Sequence, residues 1–205
     1  VPEFVMRFIT WVLVNTLYRV RADGTARIPE DGPVLLVCNH VSFMDPLLLM
    51  ANLRRPVRFV MYYKIFNVPL LSFVFRTAKA IPIAGQKEDP LVLQQAYDAI
   101  DAALAAGEAV CIFPEGRLTV DGEIAPFRAG VEKILARRPV PVVPMALRGL
   151  WGSVWSRRDS RLGRARLPRR FRARVELLVD AALAPAQVTA ASLEARVREL
   201  RGDLA

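Results

Sequence analysis

Two short, uninterrupted apolar runs limit the folds open to this chain: Val34-Leu35-Leu36-Val37 and Ala109-Val110-Cys111-Ile112-Phe113. Each is too short for a buried helix and apolar at every position, so both of its faces must be covered, as in a central strand. Residues 58–63, 140–147 and 173–179 also read as strands. Between them lie helical patterns. Asp89-Pro90 supplies a cap and first turn for a helix running to Leu104 and ended by Gly107, and further helices are predicted near 129–137 and from Ala190 to Leu200, after Thr189. Strands alternating with helices predict an α/β fold, a single layered domain with a largely parallel central sheet flanked by helices. In such sheets a site forms at the carboxyl ends of the strands.

The first apolar run ends in Asn39-His40-Val41-Ser42-Phe43-Met44-Asp45-Pro46, which holds the only histidine of the chain. Histidine titrates nearest neutral pH and is the usual general base, and a nearby carboxylate fixes its tautomer. On a continuous helix, five residues turn through roughly 500°, so His40 and Asp45 meet only if the backbone bends between them. Pro46 supplies the bend: the residue before proline avoids the helical region, and Asp-Pro suits a helix cap and first position. The expectation is a strand over 34–38, a turn over 39–45 and a helix from Pro46 to about Leu53. The plainer alternative is that Asp45 only caps that helix and His40 is an ordinary turn residue. The second run leads into Pro114-Glu115-Gly116-Arg117-Leu118-Thr119. Gly116 permits a backbone conformation closed to other residues, and the Arg117 guanidinium suits phosphate oxygens; a surface ion pair of Glu115 with Arg117 is the alternative.

These residues resemble the motifs of the glycerolipid acyltransferases, an N-H-x-x-x-x-D block followed by an F-P-E-G block. Asn39, His40 and Asp45 match the first, and Phe113, Pro114, Glu115 and Gly116 the second. Phe127-Arg128-Ala129-Gly130 is similar to the family's basic F-[KR]-x-G segment, and Val140 to Pro144 to its late proline-containing strand. The resemblance covers roughly residues 25–150 and implies acyl transfer from a thioester to a lysophospholipid hydroxyl. In that role His40 and Asp45 are catalytic, while Asn39, Phe113, Pro114, Glu115, Gly116, Arg117 and Arg128 bind substrate. It implies no metal and no bound cofactor, with acyl carrier protein or coenzyme A carrying the donor. Oxyanion donors are expected from backbone N–H groups at the start of the helix after Asp45. Members acting on lysophosphatidic acid commonly have Thr after the motif glycine; here Arg117 stands there. The F-P-E-G-R-L-T form is more similar to the acyltransferase domain of the bifunctional 2-acylglycerophosphoethanolamine acyltransferase/acyl-carrier-protein synthetase. A lysophosphatidylethanolamine-type acceptor is therefore expected, with 1-acylglycerol-3-phosphate as the alternative. The intermediate segment Ala80 to Gly85 also lacks the basic residue that normally closes it, a place Lys79 or Lys87 could fill. Two rival readings are a hydrolase using Ser42 or Cys38 with His40, and a membrane-binding module without catalysis.

The net charge of +9 directs attention to acidic partners: an anionic membrane surface, coenzyme A or acyl carrier protein. Nucleic acid is not expected, because the arginines crowd into residues 157–172 rather than along a recognition helix. Residues 4–20 are apolar but interrupted by Arg7, Asn15 and Arg19, too short a run to span a bilayer, with Trp11 and Tyr18 suited to its interface. The expected organisation is a membrane-interfacial amphipathic helix over 1–22 and an acyltransferase domain over 23–205, excised from a longer protein and peripheral to the cytoplasmic face of the inner membrane. The nearly uncharged run 66–75 is a candidate acyl-chain groove. Cys38 and Cys111 sit inside strand candidates and are expected as buried thiols.

Overall fold

The computed structural model describes residues 3–67, 75–153 and 172–203. In chain order its strands are β1 (Tyr18–Asp23), β2 (Val34–Cys38), β3 (Val57–Tyr62), β4 (Ile81–Ile83), β5 (Ala109–Ile112), β6 (Val142–Arg148) and β7 (Ala173–Val179). The helices are α1 (Glu3–Leu17), α2 (Asp45–Asn52), α3 (Pro90–Ala105), α4 (Gly130–Arg137) and α5 (Ala190–Arg201). The strands form one sheet in the order β1-β7-β6-β2-β5-β3-β4. All neighbours are parallel except β6 and β7.

The fully apolar strands take the middle of the sheet because both of their faces are covered. Val34, Leu36 and Cys38 of β2 join the core beneath α1 and α2, and Leu35 and Val37 join the core beneath α3, α4 and α5. The helix starts follow local chemistry. Asp89 accepts the N–H groups of Leu91 and Val92 to cap α3, and Thr189 exchanges side-chain to backbone bonds with Ser192 to open α5.

Two elements differ from the sequence reading. The N-terminal helix stops at Leu17, and the residues expected to continue it form edge strand β1. Tyr18, Val20 and Ala22 alternate with Arg19, Arg21 and Asp23, a period of two that pairs in register with β7. Ile81 to Ile83, expected only as a motif segment, adds β4 at the opposite edge. Residues 68–74 of the proposed acyl-chain groove, and 154–171 of the arginine-rich stretch, lie outside the described residues.

The sheet places the two motifs side by side. Val37 pairs with Ile112, so His40 and Glu115 each lie three residues beyond the same register point on adjacent parallel strands. On the other flank Asn39 extends β2 with its side chain. Its Nδ2 donates to Leu147 O at 2.9 Å, and its Oδ1 accepts from Leu147 N at 2.8 Å. Asn39→Ala would leave both Leu147 groups buried without that partner, and an unsatisfied buried group costs about 1–3 kcal/mol. We expect a loss of about 2–6 kcal/mol in urea unfolding, on the basis of two such groups.

Candidate active site

His40 sits in a turn held from three directions. Its Nδ1 is 2.8 Å from Asp45 Oδ2, its backbone N–H donates to Glu115 Oε1 at 2.7 Å, and its carbonyl accepts from Thr119 N at 3.0 Å. The imidazole stacks on Phe113 with ring centroids 4.3 Å apart, and its side chain keeps 19% exposure. Asp45 is wholly buried. Besides His40 it accepts the N–H groups of Val41 at 2.7 Å and Ser42 at 3.0 Å. With Asp45 accepting from Nδ1–H, His40 presents Nε2 as the nitrogen able to take a proton.

Asp45 does not cap α2. It is the first helical residue, the cap position is Met44 without a side-chain bond, and the carboxylate turns back onto 40–42. The bend inferred from Pro46 is present, but it folds the loop around the carboxylate rather than ending it on the helix. Around this turn, Val41 and Ser42 N–H are taken by Asp45, Met44 N–H by Ser42 Oγ and Asp45 N–H by Ser42 O, while Leu48 N–H, after Asp45, donates to Met44 O.

The sequence reading assigns Asn39 and Glu115 to substrate; the structure engages both with backbone. Glu115 is buried, and while Oε1 accepts from His40 N, Oε2 accepts from Ala125 N at 2.8 Å. Burial raises its carboxyl above the ordinary glutamate range, against the lowering effect of those two N–H bonds. Pro114 is buried, and its carbonyl accepts from Arg128 N at 2.9 Å, which draws the basic segment back over the F-P-E-G turn. Arg117 and Arg128 are exposed beside that turn. Gly116 has φ 65, and a Cβ there would lie 2.8 Å from Arg128 Cζ, so the missing side chain lets the guanidinium rest against the backbone. Lys79 and Lys87, considered for the intermediate segment, are both exposed.

Tyr18, read from the sequence as suited to a membrane interface, instead opens β1 inside the protein. It is fully buried, and burial, with the Asp45 carboxylate adding to it, pushes its phenol up to about 12 despite a hydrogen bond with Ser153. Its period-two neighbours were the available signal. Ser42 and Cys38, the nucleophiles of the hydrolase reading, are both fully buried, and burial pushes the Cys38 thiol well above its ordinary value.

Residues 19–148 match the family model described as Acyltransferase. The chain belongs to that family. Among its relatives, a 1-acyl-sn-glycerol-3-phosphate acyltransferase of Chlamydomonas reinhardtii is 32% identical over 157 residues, 74% of this chain and 46% of that protein. A chloroplastic 1-acyl-sn-glycerol-3-phosphate acyltransferase of Brassica napus is 28% identical over 148 residues, 72% of this chain and 42% of that protein. The chain thus spans less than half the length of these relatives. The crystal structure of the 1-acyl-sn-glycerophosphate acyltransferase from Thermotoga maritima superposes with a TM-score of 0.75 over 96% of this chain and 77% of that one, at 19% identity. The likeness establishes the fold, an α/β domain with a mostly parallel sheet, shared with an acyltransferase.

The raised Glu115 carboxyl gives a signed prediction. A carboxyl whose folded-state pKa exceeds its unfolded value weakens the fold when ionised, and that penalty disappears as pH falls through the folded pKa. Unfolding free energy of the wild type relative to Glu115→Gln should therefore rise as pH falls from neutral toward the ordinary glutamate range. A flat or falling difference in paired urea titrations would contradict it.

Proposed function

We propose that the chain transfers a fatty acyl group from a coenzyme A or acyl carrier protein thioester to the free hydroxyl of a lysophospholipid, with 1-acylglycerol-3-phosphate as acceptor. The observation that carries the reading is the His40–Asp45 pair, a part-exposed imidazole whose Nδ1 is held by a wholly buried carboxylate. His40 Nε2 takes the proton of the acceptor hydroxyl as its oxygen attacks the thioester carbonyl. Asp45 holds the ring and balances the imidazolium charge, and collapse of the tetrahedral intermediate expels the thiolate, which regains the proton. Arg117 and Arg128, exposed beside the F-P-E-G turn, suit the acceptor phosphate. Asn39 and Glu115 serve by building the loops that carry these groups.

The choice of acceptor follows the relatives' names, which specify 1-acyl-sn-glycerol-3-phosphate, over the ethanolamine-type acceptor suggested by the F-P-E-G-R-L-T form. Two exposed arginines on one loop system also suit a phosphate monoester, which carries more charge than a diester.

The same reading places α1 on a membrane surface. No helix among the described residues is long and apolar enough to cross a bilayer. Met6, Thr10 and Val14 bury one side of α1, while Phe4, Phe8, Ile9, Trp11, Val12 and Leu13 are exposed, Phe4 at 72%. An apolar face of this kind suits a lipid interface. Helices α1 and α2 run antiparallel: Arg7 donates to Leu53 O, and Thr10 Oγ1 contacts Met50 Sδ. Tyr18, just past α1, reaches the Asp45 end. The C-terminal half of α1 therefore runs toward the start of α2, the end that carries Asp45. Because acyl thioesters are supplied from the cytoplasm, the reading puts the chain at the cytoplasmic face of the inner membrane.

Labelled acyl thioester, offered with a panel of lysophospholipids, should yield acylated lipid, fastest with 1-acylglycerol-3-phosphate. His40→Ala should lower turnover by about 10²–10⁴-fold or more while leaving the far-ultraviolet circular dichroism unchanged. Retained turnover removes His40 as base, and preference for lysophosphatidylethanolamine restores the other acceptor. Sedimentation with lipid vesicles should weaken at least tenfold in a Phe8→Glu, Trp11→Glu double variant; undiminished binding would remove α1 from the membrane contact.

A further inference from the structure

Helix α5 lies beyond residues 19–148, the part of the chain that the family model matches, yet its polar side chains converge on the loop behind the site. Glu194 Oε2 accepts from Phe127 N at 2.9 Å, and Glu194 Oε1 accepts from Arg198 Nε at 3.0 Å. Arg198 Nη2 donates to Ile124 O. Arg201, 7% exposed, donates from Nη1 to Gly122 O at 2.9 Å and from Nη2 to Glu123 Oε2 at 2.8 Å. An arginine this buried is uncommon unless paired, and here its partners all lie on one loop or at its own helix end. The helix is itself anchored: Leu193 and Val197 are buried against the sheet, and Ala190 N donates to Glu132 Oε1 of α4 at 2.8 Å.

The loop gripped in this way supplies the outer ends of the bonds that hold His40. Ala125 N reaches Glu115 Oε2, whose other oxygen takes His40 N. Thr119, which donates to His40 O, is tied to the same loop through Thr119 Oγ1 to Glu123 O at 2.7 Å and Gly122 N to Thr119 Oγ1 at 3.0 Å. Both backbone groups of His40 thus depend on the stretch held by α5, and Arg128 emerges from its far end. We propose that α5 is a positioning clamp for this site, in which Glu194, Arg198 and Arg201 fix residues 122–127 and, through Ala125 and Glu115, the backbone of His40. None of the three touches the reacting atoms. Displacement of a catalytic group by about 1 Å costs on the order of 10²-fold in rate, which sets the size of effect a clamp of this kind controls.

The kinetic part of the test rests on the acyl-transfer reading; the structural part does not. Arg201→Gln and Glu194→Gln should each speed amide hydrogen exchange in peptides covering 38–44 and 113–128 by about tenfold or more. Arg196→Ala is the control: Arg196 is on the same helix but pairs with Asp180 and Glu199, away from the loop. His40 is the only histidine, so its imidazole resonance can be titrated by NMR without assignment, and its midpoint should move in the two clamp variants and stay in the control. Turnover should fall about 10–100-fold in kcat in the clamp variants, with Arg201→Lys restoring part of it. Unchanged exchange and titration at His40, equal changes in the control, or loosened exchange with undiminished kcat would each overturn the clamp. If the wild type transfers no acyl group, the functional reading fails, and exchange and titration alone decide the clamp. Should Arg201→Gln fail to fold, Glu194→Gln carries the same readouts.

Discussion

The arrangement of the site depends on one buried carboxylate. Asp45 is wholly shielded from solvent, and a charge removed from water is tolerated only when it is surrounded by donors. Val41 N–H, Ser42 N–H and His40 Nδ1 provide them. The same set of bonds closes the turn after β2, starts α2 immediately afterwards and fixes the imidazole. A neutral isostere at position 45 offers one acceptor oxygen where three donors converge, so the turn, the helix start and the histidine would loosen together. In the proposed mechanism, folding and chemistry are linked through this residue because one group serves both.

Parallel pairing then brings in the second motif. Because β2 and β5 are in register at Val37 and Ile112, their extensions run side by side, and the two loops need only short bonds to meet. Glu115 supplies one of them. A carboxylate has acceptors but no donors, so it can join two backbone N–H groups from different loops. It does so for His40 and Ala125. An acidic residue in this position is poorly suited to touch a phosphate and well suited to this bridging, and in the proposed reaction the acceptor phosphate falls to the exposed cations Arg117 and Arg128.

Much of this was legible in the chain. The central strands announced themselves by apolarity at every position, and α3 and α5 by Asp89 and Thr189 ahead of helical spacing. The His40–Asp45 contact followed from the need to bend at Pro46. The direction in which a polar side chain points was not legible. Asn39 and Glu115 occupy motif positions and look like ligands, yet their amide and carboxylate complete backbone pairing with Leu147, His40 and Ala125, partners set by strand order rather than local sequence. The strand Tyr18–Asp23 was hidden by the apolar helix before it, although its alternation was present. Arg201 carried no local signal, since its partners at 122 and 123 are almost eighty residues away.

The distribution of rigid and exposed parts bears on how such a site could serve a lipid. The imidazole is held by its ring nitrogen, its backbone N–H and its carbonyl, so little of its geometry is left to be set by substrate. The groups suited to the acceptor, Arg117 and Arg128, are exposed, and their long side chains can follow a headgroup. Helix α1 buries one side against α2 and leaves its other side apolar, so it is the element with most to gain from a lipid surface. On the proposed acyl-transfer reading, a rigid base, adjustable cations and an apolar border divide the task by physical property: the proposed proton acceptor is held, the proposed phosphate partners can adapt, and the apolar face would hold the chain where acceptor hydroxyls are concentrated.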